Sequence, residues 1–256
     1  MGRLDNRVAI VTGGAHGERA ALGASFALAL AREGAKVVAA DINDTASVVA
    51  EIEAAGGTAL GLKVDVCDEA SIKAMVDAAL ARFGQVDILV NNAAIGSNIP
   101  PVAVDEIDID SWDRIYAVNV RGPFLCVKAL LPHMRSRHYG KIINIGSTMM
   151  YSGAPKRLHY VSAKGAVLAM SRALARELGP VGICVNTLAY GLITSKLNEE
   201  MLESDEEYRN HAFRPRAMPV HLRAEDVTGS LVFLASSESD HVTGQCLMAD
   251  PGSVMT

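Results

Sequence analysis

The chain has 256 residues, 50% hydrophobic and 21% charged, with a formal net charge of −5. That length suffices for one large core, and the lack of a long basic run argues against nucleic acid as a partner. The four cysteines, Cys67, Cys126, Cys184 and Cys246, form no CxxC pair and no metal-ligand spacing, which fits free thiols in a reducing compartment rather than a disulfide scaffold or a bound metal.

In chain order, Val8–Thr12 is a short apolar strand so close to Met1 that a signal peptide is not expected. Asn6 stands where a myristoylation motif needs Ser or Thr. Arg19–Arg32 reads as an alanine-rich helix stopped by Gly34, and its apolar part, Ala20–Ala31, is too short to span a bilayer. These features lead to the expectation of a cytoplasmic protein. Lys36–Ala40 is the second strand, Thr45–Ala55 a helix ended by Gly56-Gly57, Ala59–Val64 a strand and Glu69–Arg82 a helix. Val86–Val90 is a strand, Ser111–Arg135 a long helical region, Lys141–Ile145 a strand, His159–Leu178 a helix and Gly182–Thr187 a strand. Ala224–Ser236 reads as a helix and Gln245–Met248 as a last short strand.

The strands are continuously apolar rather than alternating, the pattern of strands buried on both faces. Repeated βα units with right-handed crossovers predict an α/β fold, a doubly wound parallel β-sheet with helices on both faces. No linker or repeat divides it, so residues 1–256 are expected to form one domain. The long irregular stretch at 188–221 is expected to be a substrate lid.

Thr12-Gly-Gly-Ala-His-Gly17 closes the first strand and opens the first helix. Glycines there allow a tight turn and let backbone N–H groups approach a phosphate at a helix N-terminus. Asp41 ends the second strand, 24 positions after Gly17, where an acidic residue bonds the ribose hydroxyls of a dinucleotide. A carboxylate at that point repels a 2′-phosphate, and the neighbours Ala40 and Ile42 supply no cation to offset it, so NAD is expected over NADP. Asp65, near the end of the third strand, is a candidate for the adenine amino group.

Tyr160 and Lys164 lie on one face of a helix at i and i+4. A free tyrosine has a pKa of about 10, and a fixed positive charge nearby favours its phenolate. With Ser147 and Asn119 upstream and the Gly-rich turn, this spacing points to alcohol–carbonyl redox chemistry.

Together these segments resemble the single-domain short-chain dehydrogenase/reductase family over nearly the whole chain. T-G-x-x-x-G is Thr12–Gly17, N-N-A-G corresponds to Asn91-Asn92-Ala93-Ala94, N-V-x-G is Asn119–Gly122, the serine is Ser147 and Y-x-x-x-K is Tyr160–Lys164. The resemblance implies an oxidoreductase that transfers a hydride between NAD(H) and a secondary alcohol or ketone, assembled as a homotetramer through its two long helices. It implies a catalytic set of Asn119, Ser147, Tyr160 and Lys164. Tyr160 would exchange a proton with the substrate oxygen and Ser147 would hydrogen-bond that oxygen. Lys164 would lower the Tyr160 pKa and bond the nicotinamide ribose, and Asn119 would interrupt its helix and hold a water. The cofactor would contact Gly13, His16, Gly17, Glu18, Arg19, Asp41, Ile42, Asp65, Val66, Asn92, Ala93, Ala94, Tyr160, Lys164, Ile193 and Ser195. Ser147, Met149, Tyr160 and Leu192 would meet the substrate. A neutral secondary alcohol, cyclic or a polyol, is the default substrate. An anionic one is the variant if Lys156, Arg157, Arg214 or Arg216 points inward.

Several residues depart from the family pattern. Glu18-Arg19 replaces Ile-Gly of the turn, Ala94 replaces a Gly, Tyr190 replaces the Pro after the sixth strand, and Asp250-Pro251-Gly252 stands where the family has D-G-G. The Tyr190 change predicts greater mobility at Tyr190-Gly191-Leu192-Ile193. The Glu18-Arg19 change leaves open an alternative reading, a cofactor-impaired nucleotide-sensing or structural member of the same fold.

Overall fold

Seven parallel strands line up in the order β3-β2-β1-β4-β5-β6-β7 in a computed structural model of the protein, which describes residues 2–17, 22–96, 100–195, 199, 202–206, 209–210 and 216–255. They are β1 (Val8–Thr12), β2 (Lys36–Asp41), β3 (Thr58–Lys63), β4 (Ile88–Asn91), β5 (Gly140–Ile145), β6 (Ile183–Tyr190) and β7 (Cys246–Ala249). The helices between them are α1 (Leu22–Arg32), α2 (Ala46–Ala54), α3 (Glu69–Phe83), α4 (Ile109–Tyr116), α5 (Gly122–Arg137), α6 (Met149–Ser152), α7 (Leu158–Leu178) and α8 (Thr228–Ala235).

Alternate residues of each central strand feed two cores. Ala9 and Val11 of β1 join Phe26, Ala27 and Leu30 of α1 on one face. Val8 and Ile10 join Ile72, Met75 and Leu130 on the other. Burial on both faces explains why these strands read as unbroken apolar runs. Local signals set several helix ends. The Asp68 side chain accepts hydrogen bonds from the Ala70 and Ser71 amides at the start of α3, and Gly84 ends it in the left-handed region at φ 77°.

The strand order turns back between β1 and β4, and such a switch point opens a crevice at the carboxyl ends of the strands. Thr12, Asp41, Asn91, Ile145 and Tyr190 all end strands on this edge.

Three expectations change. The helical region expected over Ser111–Arg135 is α4 and α5 joined by a π turn at Ala117–Arg121, where the Gly122 amide donates to the Ala117 carbonyl. Strand β6 extends to Tyr190 because Leu188, Ala189 and Tyr190 pair with Leu247, Met248 and Ala249 of β7. Of the segment Tyr190–Ile193 expected to be more mobile, the pairing holds Tyr190 alone. The helix expected over Ala224–Ser236 starts as a 3-10 turn at Ala224–Val227 before α8. No helix of the described residues is long and apolar enough to cross a membrane.

Candidate active site

The crevice is built first from the Gly-rich turn. Gly13 has φ +66°, and a Cβ there would come within 2.8 Å of the Ala93 Cα, so only glycine lets the turn pass this close to the loop after β4. The Thr12 hydroxyl locks the two segments, accepting from the Asn92 and Ala93 amides (both 3.1 Å) and donating to the Val90 carbonyl. The Asn92 side-chain amide donates to the carbonyls of Thr12 and Gly13 at 3.0 Å each. Ala94 keeps a negative φ, so the lost glycine costs no backbone strain.

Asp41 is placed as expected at the end of β2. One carboxylate oxygen accepts from the Ala15 amide (3.1 Å) and the other from the backbone and side-chain amides of Asn43. The carboxylate thereby ties the turn to β2 and stands beside it as a fixed negative charge. His16 pairs with Glu51 of α2 at 2.7 Å. Gly17 and Ile42 are exposed, Ile42 at 60%. Asp65 sits two residues past β3 and accepts from the Cys67 amide, and Val66 is buried against Gly122. Glu18 and Arg19 lie outside the described residues, as does Arg214.

Asn119 lies within the π turn and is 2% exposed. Its side chain accepts from the Ile95 amide (2.9 Å) and donates to the Ile95 carbonyl (2.7 Å). A single side chain therefore satisfies both backbone groups of a residue in the loop after β4. The interruption of the helix that the resemblance implies is this π turn, a feature frequent at functional sites.

Ser147 follows β5, and Tyr160 and Lys164 share one face of α7. The Ser147 hydroxyl lies close enough to the Tyr160 hydroxyl to favour its ionised form, and it accepts from the Met149 amide at 3.2 Å. The Lys164 ammonium, 3% exposed, donates to the Ile145 carbonyl at 2.7 Å and lies 5.8 Å from the centre of the Tyr160 ring. Burial lowers the Lys164 pKa to about 8. Burial also pushes the Tyr160 hydroxyl above the ordinary tyrosine value, and the Ser147 hydrogen bond and the Arg157 charge only partly offset it. The expected lowering of the Tyr160 pKa by Lys164 is thus not what this arrangement provides. The ammonium is turned toward the end of β5, and desolvation dominates.

At the start of the expected lid, Thr194 donates its amide to the Leu222 carbonyl (2.7 Å), and its hydroxyl is 3.2 Å from His221 Nδ1. Ile193 is buried, Leu192 is 36% exposed, and the Ser195 carbonyl accepts from the Glu199 amide. Arg216, 7% exposed, donates to the Leu192 and Val220 carbonyls.

A family model described as enoyl-(acyl carrier protein) reductase matches residues 14–253. A cyclopentanol dehydrogenase of Comamonas testosteroni is 36% identical over 254 residues, 98% of each chain. A galactitol 2-dehydrogenase of Agrobacterium fabrum is 36% identical over 99% of this chain and all of that one. A solved structure from Burkholderia xenovorans, assigned to the short-chain dehydrogenases/reductases, superposes with a TM-score of 0.89 at 31% identity over 99% of this chain and 98% of that one. The chain belongs to the short-chain dehydrogenase/reductase family.

Sequence reasoning missed several parts of this short-chain dehydrogenase/reductase site. A buried polar chain runs from Asn91 to Asn144 (2.8 Å), to Ser171 (2.9 Å) and on to Thr187 (3.0 Å), linking β4, β5, α7 and β6 behind the crevice. The hint was polar residues inside otherwise apolar strands. Tyr190, where the family has Pro, brings a second phenol close enough for its charge to interact with that of Tyr160. Gly96 and Arg157 reach Tyr160 only through loop geometry.

Proposed function

We propose that the protein is an NAD-dependent dehydrogenase/reductase of secondary alcohols and ketones, with Tyr160 as its acid/base. Membership of the family makes the chain an oxidoreductase acting between alcohols and carbonyls. The observation that carries the finer reading is Lys164. Its ammonium has three donors and, among the described residues, one protein acceptor, the Ile145 carbonyl. A buried charge with donors left over fits the neighbouring hydroxyls of a nicotinamide ribose, next to the Ser147–Tyr160 hydroxyl pair. At the other end of the crevice, the Asp41 carboxylate fits a ribose diol and repels a phosphate ester, which supports NAD over NADP. The Gly-rich turn would hold the pyrophosphate, and Asp65 and Val66 would border the adenine.

When bound, NAD supplies the hydride acceptor and NADH the donor. Ser147 donates a hydrogen bond to the substrate oxygen and stabilises charge that develops there. Tyr160 as phenol donates the proton that turns a reduced carbonyl into an alcohol. As phenolate it takes the hydroxyl proton of an alcohol being oxidised. Lys164 orients the ribose and adds positive charge. Asn119, by holding Ile95, keeps the loop after β4 beside Tyr160.

Met149 and Leu192 border the substrate, and the stretch after Tyr190, as far as residue 221, acts as a lid whose base is fixed through Thr194 and Arg216, residues 188–190 of the expected lid belonging to β6 instead. The Arg216 donors to the Leu192 and Val220 carbonyls support a neutral substrate rather than an anion bound by this arginine. The relatives acting on cyclopentanol and galactitol support a cyclic alcohol or a polyol. A groove of about 730 Å³ lined by Tyr116, Val120, Phe124 and Met170, on the two long helical segments, supports pairing of subunits there and a homotetramer. The intact Asn119, Ser147, Tyr160 and Lys164 set does not favour a cofactor-impaired, non-catalytic member.

Fluorescence titration with NADH and NADPH, followed by a panel of secondary alcohols with NAD, tests the reading. Tight NADH binding with turnover of a neutral secondary alcohol is expected. Failure to bind either nucleotide would overturn it.

A further inference from the structure

The loop after β4 crosses the ring of Tyr160 at Gly96. This glycine has φ +129°, and a Cβ added to it would collide with Tyr160 Cδ2 and lie 3.0 Å from Cε2. Any side chain at position 96 would displace the ring. The loop is held on both sides of this contact. Asn119 binds both backbone groups of Ile95, and Arg157 Nη1 donates to the Gly96 carbonyl at 3.0 Å. Arg157 is itself constrained from behind. Lys156 is in the left-handed region at φ +57°, and its carbonyl accepts from the Val102 amide at 3.0 Å. A non-glycine residue stays in that region only when its surroundings hold it there, so the backbone entering α7 is fixed at Lys156.

We propose that Gly96 and Arg157 are positioning residues that clamp the Tyr160 ring and set the charge around its hydroxyl. The inference rests on the reading of Tyr160 as the acid/base. Among the described residues, the titratable and polar groups facing Tyr160 are Ser147 after β5, Lys164 on α7, Tyr190 at the end of β6 and Arg157 at the start of α7. Lys164 is directed to the Ile145 carbonyl, and Tyr190 is a phenol whose ionisation burial opposes. Arg157, which also holds the Gly96 carbonyl against the ring, is a cation whose charge counters the desolvation of the Tyr160 phenolate.

The test is the pH dependence of alcohol oxidation, read beside the ultraviolet phenolate titration of each protein against its Tyr160→Phe counterpart. Arg157→Met is expected to move the Tyr160 ionisation roughly 0.5–1 pH unit to the alkaline side in both readouts, with Arg157→Lys close to wild type. Gly96→Ala is expected to lower turnover about 100-fold while NADH affinity changes by less than about threefold, because the ring moves and the nucleotide turn does not. An Arg157→Met protein that titrates like wild type in both readouts would overturn the clamp. A wild-type protein inert toward alcohols and ketones that still shows the phenolate shift would keep the clamp and remove the oxidoreductase reading.

Discussion

The Lys164 ammonium lies 2.7 Å from the Ile145 carbonyl, the last residue of β5, its one acceptor among the described residues. Its charge is buried with one carbonyl to accept from it among those residues.

That relationship makes Lys164 a source of instability without ligand. Burial lowers its pKa from 10.5 to about 8, so between those values the unfolded chain binds more protons than the folded one. Stability should rise with pH across that window, and the full penalty is present below about pH 8. Lys164→Met should therefore stabilise the ligand-free protein at pH 7 by on the order of 1–3 kcal/mol, with the gain fading toward pH 10. Thermal unfolding of both proteins across that range checks it, and equal melting profiles would sink the idea.

Tyr160→Phe removes the hydroxyl beside Ser147 and keeps the buried ring. Turnover should fall roughly 10²–10⁴-fold, with NADH affinity and melting temperature near wild type. Steady-state kinetics and a fluorescence titration on the same preparation separate these effects. Unchanged turnover would exclude Tyr160 as the acid/base.

Asp41→Asn keeps the shape of the side chain and removes its charge. The NADH over NADPH preference should shrink by roughly 10–100-fold, the worth of a charge-assisted hydrogen bond plus lost repulsion. Paired dissociation constants give the answer. A preference unaltered by the substitution would move cofactor selection away from Asp41.

Asp87, fully buried before β4, accepts hydrogen bonds from the Val8 amide, Gln85, Arg137 and, at 3.4 Å, Arg7. It lies at the opposite end of the strands from the crevice. Asp87→Ala should cost about 3–5 kcal/mol because buried donors lose their shared acceptor. Turnover per folded molecule should stay near wild type. Denaturant unfolding together with kcat measures both, and a large loss of kcat with stability intact would contradict this assignment.

The strands and most helices were legible in the sequence because their signals are local. Apolar runs such as Val8–Thr12 and Lys36–Asp41 can be buried only between two helical layers, and Asp68 and Gly84 mark the ends of α3 by their own backbone preferences. The order of Thr12–Gly17, Asn119, Ser147, Tyr160 and Lys164 likewise pointed to the family and its chemistry, because each motif occupies a fixed step along the chain. What the chain alone could not decide depends on residues far apart in sequence. Pairing with β7 extends β6 through Tyr190. The π turn at Asn119 is matched to a bidentate grip on Ile95. The direction of the Tyr160 shift follows from how much of its ring is desolvated and from where Lys164 points. The passage of Gly96 across that ring, with Arg157 holding the loop, exists only once β4 and α7 lie side by side. Burial and hydrogen-bond direction are set by three-dimensional neighbours, and a motif fixes which groups are present without fixing what surrounds them.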